Sequence, residues 1–382
     1  MEKAKYQISK SQFFFIAVFY IFADDIIRGI YAQKLKQDIW ISIIASALLS
    51  VIILACYFLL YKTSNKGEFA AIIKENVGRP IAFVLFVLYG FYFAFLTFLG
   101  LRDIAEVITI FMIHDFPVYV AGIAILAVVI YGLYHGIEAF ARTTSILFFV
   151  HLVIFVFFSG LILISNRSHF EYFLPIAENG LIPFIKPTLH SAYAAPFGKL
   201  FVLLIIYQFV LEKEKFYRYG YYAILYTGLL LLLISVYNII ILGPEAMILD
   251  IRPSLRISKR IDIVFFIQRL DLLVINSLIM MSFVKVWVLL FGARYLLADA
   301  FKIKNGNKIP FVLSILIVIA LMFFAKNYIT FLDFRQTIII PYVNLTFEII
   351  IPFLLIIIAI IRKIIRIMKA PARRENILTQ SE

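Results

Sequence analysis

Residues 191–211 read SAYAAPFGKLFVLLIIYQFVL. The run is apolar enough to cross a bilayer, yet Ala194-Ala195-Pro196-Phe197-Gly198 interrupts it near its start. Proline removes a helical hydrogen bond and glycine weakens the turn. At membrane depth, unwound backbone is tolerated only where it is buried in protein or lines a cavity. A comparable interruption lies in the first apolar run, about 11–31, at Phe22-Ala23-Asp24-Asp25 followed by Gly29. Either break alone reads equally as an ordinary kink of a membrane helix; two in matching positions favour a site built on opened helices.

The whole chain agrees with that reading. Its 382 residues are 63% hydrophobic and 15% charged, with a mean hydropathy of +0.99, against about 25% charged residues in soluble domains. A soluble enzyme or module is excluded. A span takes about 20 apolar residues, and ten runs qualify: about 11–31, 39–61, 81–101, 116–134, 144–165, 191–211, 219–242, 271–298, 309–325 and 339–361. These long unbroken runs do not fit the short alternating strands of a membrane barrel.

Ten spans form two halves of five. With an odd number in each half, the second half is upside down relative to the first, as in the inverted repeats of many secondary transporters. The expected fold is an all-α polytopic membrane protein, one permease-like domain over 1–382 with broken helices 1 and 6. The first repeat covers about 11–165, a connecting loop 166–190, the second repeat about 191–361 and a tail 362–382.

The net charge of +13 is topological and not a nucleic-acid footprint. With the N-terminus inside, about 21 Lys and Arg fall on the cytoplasmic side and about 13 outside, as basic inner loops require. Both termini are then cytoplasmic. Lys3, Lys5 and Lys10 before an apolar run resemble a signal peptide, but Asp24, Asp25 and Arg28 interrupt it, so an uncleaved first helix is expected. The outer loop 243–270 sets Leu255, Ile261, Ile263 and Val264 against Arg252, Arg256, Lys259, Arg260 and Arg269. That pattern predicts an amphipathic helix along the outer surface, its basic face toward lipid phosphates or a partner. The single cysteine, Cys56, has no partner for a disulfide or a metal site.

Charges inside the spans are the chemical signal. A carboxylate at a helix centre costs about 2.5–3.5 kcal/mol on insertion scales. Asp24 and Asp25 therefore contact a ligand ammonium or a cation, or pair within the protein, or sit in an aqueous vestibule beyond a shorter first span. Lys199 and Lys285 need acidic partners or an interface to reach. His151 reads as a packed or hydrogen-bonded residue, and Glu348 as solvated near the outer end of the last span. Tyr92 and Phe95 on span 3 are further candidates for a site lining. No phosphate loop, zinc motif or nucleophile elbow occurs, so no metal, cofactor or enzymatic activity is expected.

Several stretches carry a family resemblance. Leu174-Pro175-Ile176-Ala177-Glu178-Asn179-Gly180-Leu181-Ile182-Pro183, followed by Ala195-Pro196-Phe197-Gly198, resembles the loop and sixth helix of the spore germination permease family. These are the B subunits of Ger-type nutrient germinant receptors. Gln268-Arg269-Leu270-Asp271 through Phe283-Val284-Lys285, ending at Ala300-Phe301-Lys302, is similar to that family's eighth helix. Ile8-Ser9-Lys10-Ser11-Gln12-Phe13-Phe14 is similar to its usual start.

The resemblance implies the amino acid–polyamine–organocation superfamily and a LeuT-like fold. It also implies a place beside A-type and C-type subunits in the spore inner membrane or cell membrane. In such a fold helices 1, 6 and 8 are neighbours, so Asp24 or Asp25 is expected to pair with Lys199 or Lys285, an ammonium taking the place of a coupling sodium. The ligand lining is expected at Phe22, Ala23, Asp24, Asp25, Ala195, Pro196, Phe197, Gly198, Leu278 and Ser282. Two departures fall there: Lys199 stands where relatives carry an acidic residue, and Asp24-Asp25 where their first helix is apolar. The implied function is sensing of a small amino acid-like germinant. The alternatives are a secondary amino acid transporter, proton-coupled through Asp24, Asp25 or His151, and a structural subunit without a pocket.

Overall fold

The computed structural model describes residues 7–24, 34–64, 67–113, 116–164, 169–178, 180–211, 217–249, 252–260, 271–304, 306–324 and 327–378. Helix α1 (Lys10–Phe22) begins at a capping box. The Gln12 N–H donates to the Ser9 hydroxyl at 3.2 Å, and the Ser9 N–H donates to the Gln12 side chain at 2.9 Å. Two of the donors that a helix start leaves orphaned are thereby satisfied. Ser9→Ala is expected to cost about 1 kcal/mol, read as a lower unfolding midpoint of the purified chain in detergent.

Helices α2 (Ile39–Lys62), α3 (Phe69–Val77) and α4 (Arg79–Val107) follow, α4 running on through a wide π-type turn at Ile108–Met112. Next comes α5 (Val118–Ile164), two helices meeting at Gly136, whose φ of 84° no helix accommodates. Then come α6 (Ile182–Tyr193) and α7 (Phe201–Tyr207), separated by a non-helical break, and α8 (Tyr217–Ile248), bent at Gly243. The short α9 (Pro253–Arg260) precedes α10 (Asp271–Ala300) and α11 (Lys308–Phe324). Helix α12 (Tyr328–Phe334) continues through π-type turns at Arg335–Asn344 and Thr346–Ile350 into α13 (Ile351–Leu378).

Six of these helical stretches are long and apolar enough to cross a membrane among the described residues. Helices α1 and α11 are shorter apolar helices. The chain is an integral membrane protein. The apolar residues sort by position: α1 is buried from Ile16 to Phe22 against α5, α8 and α10, whereas α5 turns Ile146, Val153 and Val156 outward. An apolar outer face with no partner is what lipid requires. At one end of α1, Ile8 bridges to Val210: its N–H donates to Phe209 O at 2.9 Å, and the Leu211 N–H donates to Ile8 O at 3.1 Å. The chain's start is thus tied to the end of the interrupted span.

Several predicted boundaries shift. The sixth span starts at Ile182 and not at 191, so the end of the expected 166–190 loop is helical. Pro183 sits in its first turn, where no donor is needed. The last span starts at Tyr328 and not at 339, and the third runs past 101 to Val107. Apolar runs end at the first charge, but α4 and α12 continue past theirs with Arg102, Asp103 and Arg335 buried in protein, while Lys186 of α6 is exposed. The tail beyond 361 remains helical to Leu378. There Arg362 donates to Glu75 O and Lys363 to Lys62 O, each at 2.9 Å. In the segment 243–270, α9 buries Leu255 and Ile257 against the bundle. Ile261, Ile263, Val264 and Arg269 lie outside the described residues.

Candidate functional site

Helix α1 ends at Phe22, and Ala23 and Asp24 form a turn beyond it. The other interruption spans residues 194–200, between α6 and α7. Its backbone groups find partners within the protein. The Ser50 hydroxyl of α2 donates to Ala192 O at 3.0 Å, and the Tyr20 hydroxyl of α1 donates to Lys199 O at 2.9 Å. The Phe197 N–H donates to Ser191 O at 3.1 Å. The break is therefore a built feature, satisfied by neighbouring helices as membrane depth demands. Gly198 is indispensable to it: a Cβ there would fall inside the backbone of Tyr193 and Ala194.

The two breaks meet through charge. Lys199 Nζ lies 2.9 Å from Asp24 Oδ2, and Lys285 of α10 pairs with Asp24 Oδ1. Arg335 adds a third cation, its Nη2 3.3 Å from Asp24 Oδ1, while its Nη1 pairs with Asp103 of α4. Asp24, Lys199, Lys285 and Arg335 are each 3% exposed or less, so water does not solvate them. Room for Lys285 comes from Gly100, where its Cε would lie 3.6 Å from an added Cβ. Lys199 holds φ at 62°, a left-handed backbone costing about 1–2 kcal/mol for a residue with a Cβ. Its ammonium on Asp24 and the Tyr20 hydrogen bond hold that conformation.

The network continues outward. The Tyr328 hydroxyl donates to Asp103 Oδ1 at 3.3 Å, and Arg252, just before α9, hydrogen-bonds Tyr328. Arg102 pairs with Glu106 and lies over the Tyr328 ring, 5.0 Å from its centroid. Among the described residues, Asp24 and Asp103 thus face three cations, Lys199, Lys285 and Arg335, at hydrogen-bond range. Over these five side chains alone the charges sum to +1, and Glu348, a further buried carboxylate, also interacts electrostatically with Lys199.

Glu348 is buried and not solvated as expected, because its helix begins at Tyr328 and carries it into the bundle. It takes hydrogen bonds from neutral donors: the Tyr92 hydroxyl at 3.1 Å and the Phe201 N–H at 3.3 Å. The first N–H of α7 is thereby already used by the protein.

The remaining predicted residues scatter. Ala195, Pro196 and Phe197 are buried, and the Phe197 ring packs beside Gly228 of α8. Phe22 and Leu278 line a cavity on the α5 and α8 side of α1. Ser282 is buried one turn before Lys285 on α10. Asp25 lies outside the described residues. Phe95 faces an apolar groove between α4, α11 and α12. Sequence reasoning missed Asp103 and Arg335, because Asp103 stands just past one apolar run and Arg335 just before another. Among the described residues no cluster of three metal-ligating side chains occurs.

A helical membrane domain with interrupted helices meeting at a buried ion cluster has the fold of the LeuT type. The solved structure of Mhp1, a nucleobase-cation-symport-1 family transporter in a closed conformation with bromovinylhydantoin bound, is similar in fold, with a TM-score of 0.60. It is 14% identical in sequence, and the match covers 87% of this chain and 77% of that one. The family model described as spore germination protein, Spore_permease, matches residues 7–329, and the chain belongs to that family. Spore germination protein KB of Bacillus subtilis (strain 168) is 24% identical over 95% of this chain and 96% of its own length. Spore germination protein XB of Bacillus anthracis is 24% identical over 74% of this chain and 77% of its own.

Proposed function

We propose that this chain is the nutrient-sensing, permease-like subunit of a spore germinant receptor. It spans the spore inner membrane ten times as a five-plus-five inverted repeat with both termini cytoplasmic, beside A-type and C-type subunits. Its ligand is a small amino acid-like germinant. The observation that carries this reading is the surplus cation between the breaks of α1 and of the α6–α7 span. In low dielectric an unbalanced ammonium or guanidinium attracts a carboxylate strongly, and the family's relatives are germination proteins. A carboxylate taking Lys199 or Lys285 away from Asp24 would loosen the contact between the two breaks. The pull would pass through Arg335, Asp103 and Tyr328 toward the outer surface at Arg252.

The competing reading is a secondary amino acid transporter, favoured by the transporter-like fold. Two measurements separate them. Spores lacking the chain are expected to lose their response to one class of nutrient and regain it on complementation. Vesicles containing the chain are expected not to accumulate that nutrient in labelled form. Accumulation driven by an ion gradient would establish the transporter instead.

A further inference from the structure

On the α5 and α8 side of α1 lies a cavity of about 90 Å³ with an unusual polar inventory. His151, Asn238 and Ser277 reach it from three helices, and they are 6%, 6% and 5% exposed. Both ring nitrogens of His151, Oδ1 of Asn238 and Oγ of Ser277 have no hydrogen-bond partner. Asn238 is engaged only through Nδ2, which donates to the Ser254 hydroxyl at 3.4 Å. The rest of the wall is mostly apolar, with Phe22, Phe155 and Met281 among it, and Ser159, Tyr237 and Ser254 add further hydroxyl-bearing side chains. The His151 ring meets the Phe19 and Phe22 rings at centroid distances of 5.6 and 5.7 Å.

Buried polar atoms are nearly always paired, and leaving one unpaired is costly. Four such atoms around one cavity make it a place prepared for a hydrogen-bonding guest. We infer that this cavity binds a small uncharged amide, with its amide group among His151, Asn238 and Ser277 and a short apolar body against the aromatic wall. Among the described residues no Asp, Glu, Lys or Arg lines it, so an ionic or zwitterionic molecule would lose its hydration without a counter-charge. A neutral imidazole offers one donor and one acceptor, a serine hydroxyl offers both, and the Asn238 oxygen accepts. An amide N–H directed to Asn238 and an amide C=O receiving from both His151 and Ser277 pairs three of the four atoms. A cavity needs roughly 10–15 Å³ to admit one water, so at about 90 Å³ this one has room for a small molecule. The site is separate from the ion cluster, and its ligand class differs from the one proposed there.

The test is the unfolding midpoint of the purified full chain in detergent, titrated with isobutyramide and, in parallel, with isobutyrate, its charged isostere. Isobutyramide is expected to raise the midpoint saturably and isobutyrate not to. Asn238→Leu and His151→Phe should each raise the half-saturating concentration about ten-fold, as loss of a buried hydrogen bond to ligand does. If either variant fails to fold, Ser277→Ala, a minimal truncation, should show the same direction of change. The proposal is overturned by no saturable rise in the wild type, which would leave ordered water as the only guest. It is equally overturned by equal rises with both probes, or by unchanged half-saturation in the variants that fold.

Discussion

Asp24→Asn is expected to remove most of the folded chain from the membrane, more than loss of any one of its cationic partners. The carboxylate holds Lys199, Lys285 and Arg335 at once, and without it, among the described residues, only Arg335 keeps a carboxylate in salt-bridge range, that of Asp103. Breaking a buried pair from one side typically costs about 3–5 kcal/mol, out of a total stability of roughly 5–15 kcal/mol. Lys285→Met should do less harm, because Lys199 and Arg335 remain on Asp24. The double variant Asp24→Asn, Lys285→Met should recover part of the loss, since it removes one charge of each sign. Unfolding midpoints of wild type, both singles and the double give the coupling directly. Strict additivity would mean that the two side chains act independently.

How far this cluster could be read from sequence depends on the residue. An ammonium in the middle of an apolar run demands a carboxylate. A pairing of Asp24 or Asp25 with Lys199 or Lys285 was therefore open to expectation from insertion cost and the adjacency of helices 1, 6 and 8 that the family resemblance implies; which aspartate takes part was not. Arg335, Asp103 and Glu348 could not be placed the same way. Each stands beside or within a run whose ends were fixed by the first charge, whereas α4 and α12 continue past those charges with the side chains turned into protein. Hydropathy measures transfer to lipid and says nothing of a neighbouring helix that offers a countercharge. The break at 194–200 was legible because proline and glycine act locally. What fills the space beside it was not, since Phe197 packs on α8, a contact distant in sequence.

Gly198→Ala is expected to be as damaging as Asp24→Asn, although it adds one methyl group and no charge. That methyl would occupy the position of the Tyr193 carbonyl and the Ala194 nitrogen, which belong to backbone and have no rotamer to change. Overpacking a core typically costs about 1–3 kcal/mol and more where the neighbour cannot shift. Here the shift would also pull the Lys199 ammonium from Asp24 and the Lys199 carbonyl from Tyr20. Protein level in the membrane should therefore fall together with the nutrient response. Gly160→Ala, where an added Cβ meets nothing within 4 Å, serves as the control and should leave both unchanged. A normal protein level in the Gly198→Ala variant would mean that the break has another backbone path.

The most direct test of the account is equilibrium binding of a radiolabelled amino acid germinant to the purified chain in nanodiscs, compared with binding of its methyl ester. If the surplus cation between the two breaks receives the ligand carboxylate, the amino acid that triggers the spores binds saturably. The ester should then bind more weakly by about ten-fold or more, the usual size of a lost charge-assisted hydrogen bond. Equal binding of acid and ester, or no binding of any triggering nutrient, would contradict it.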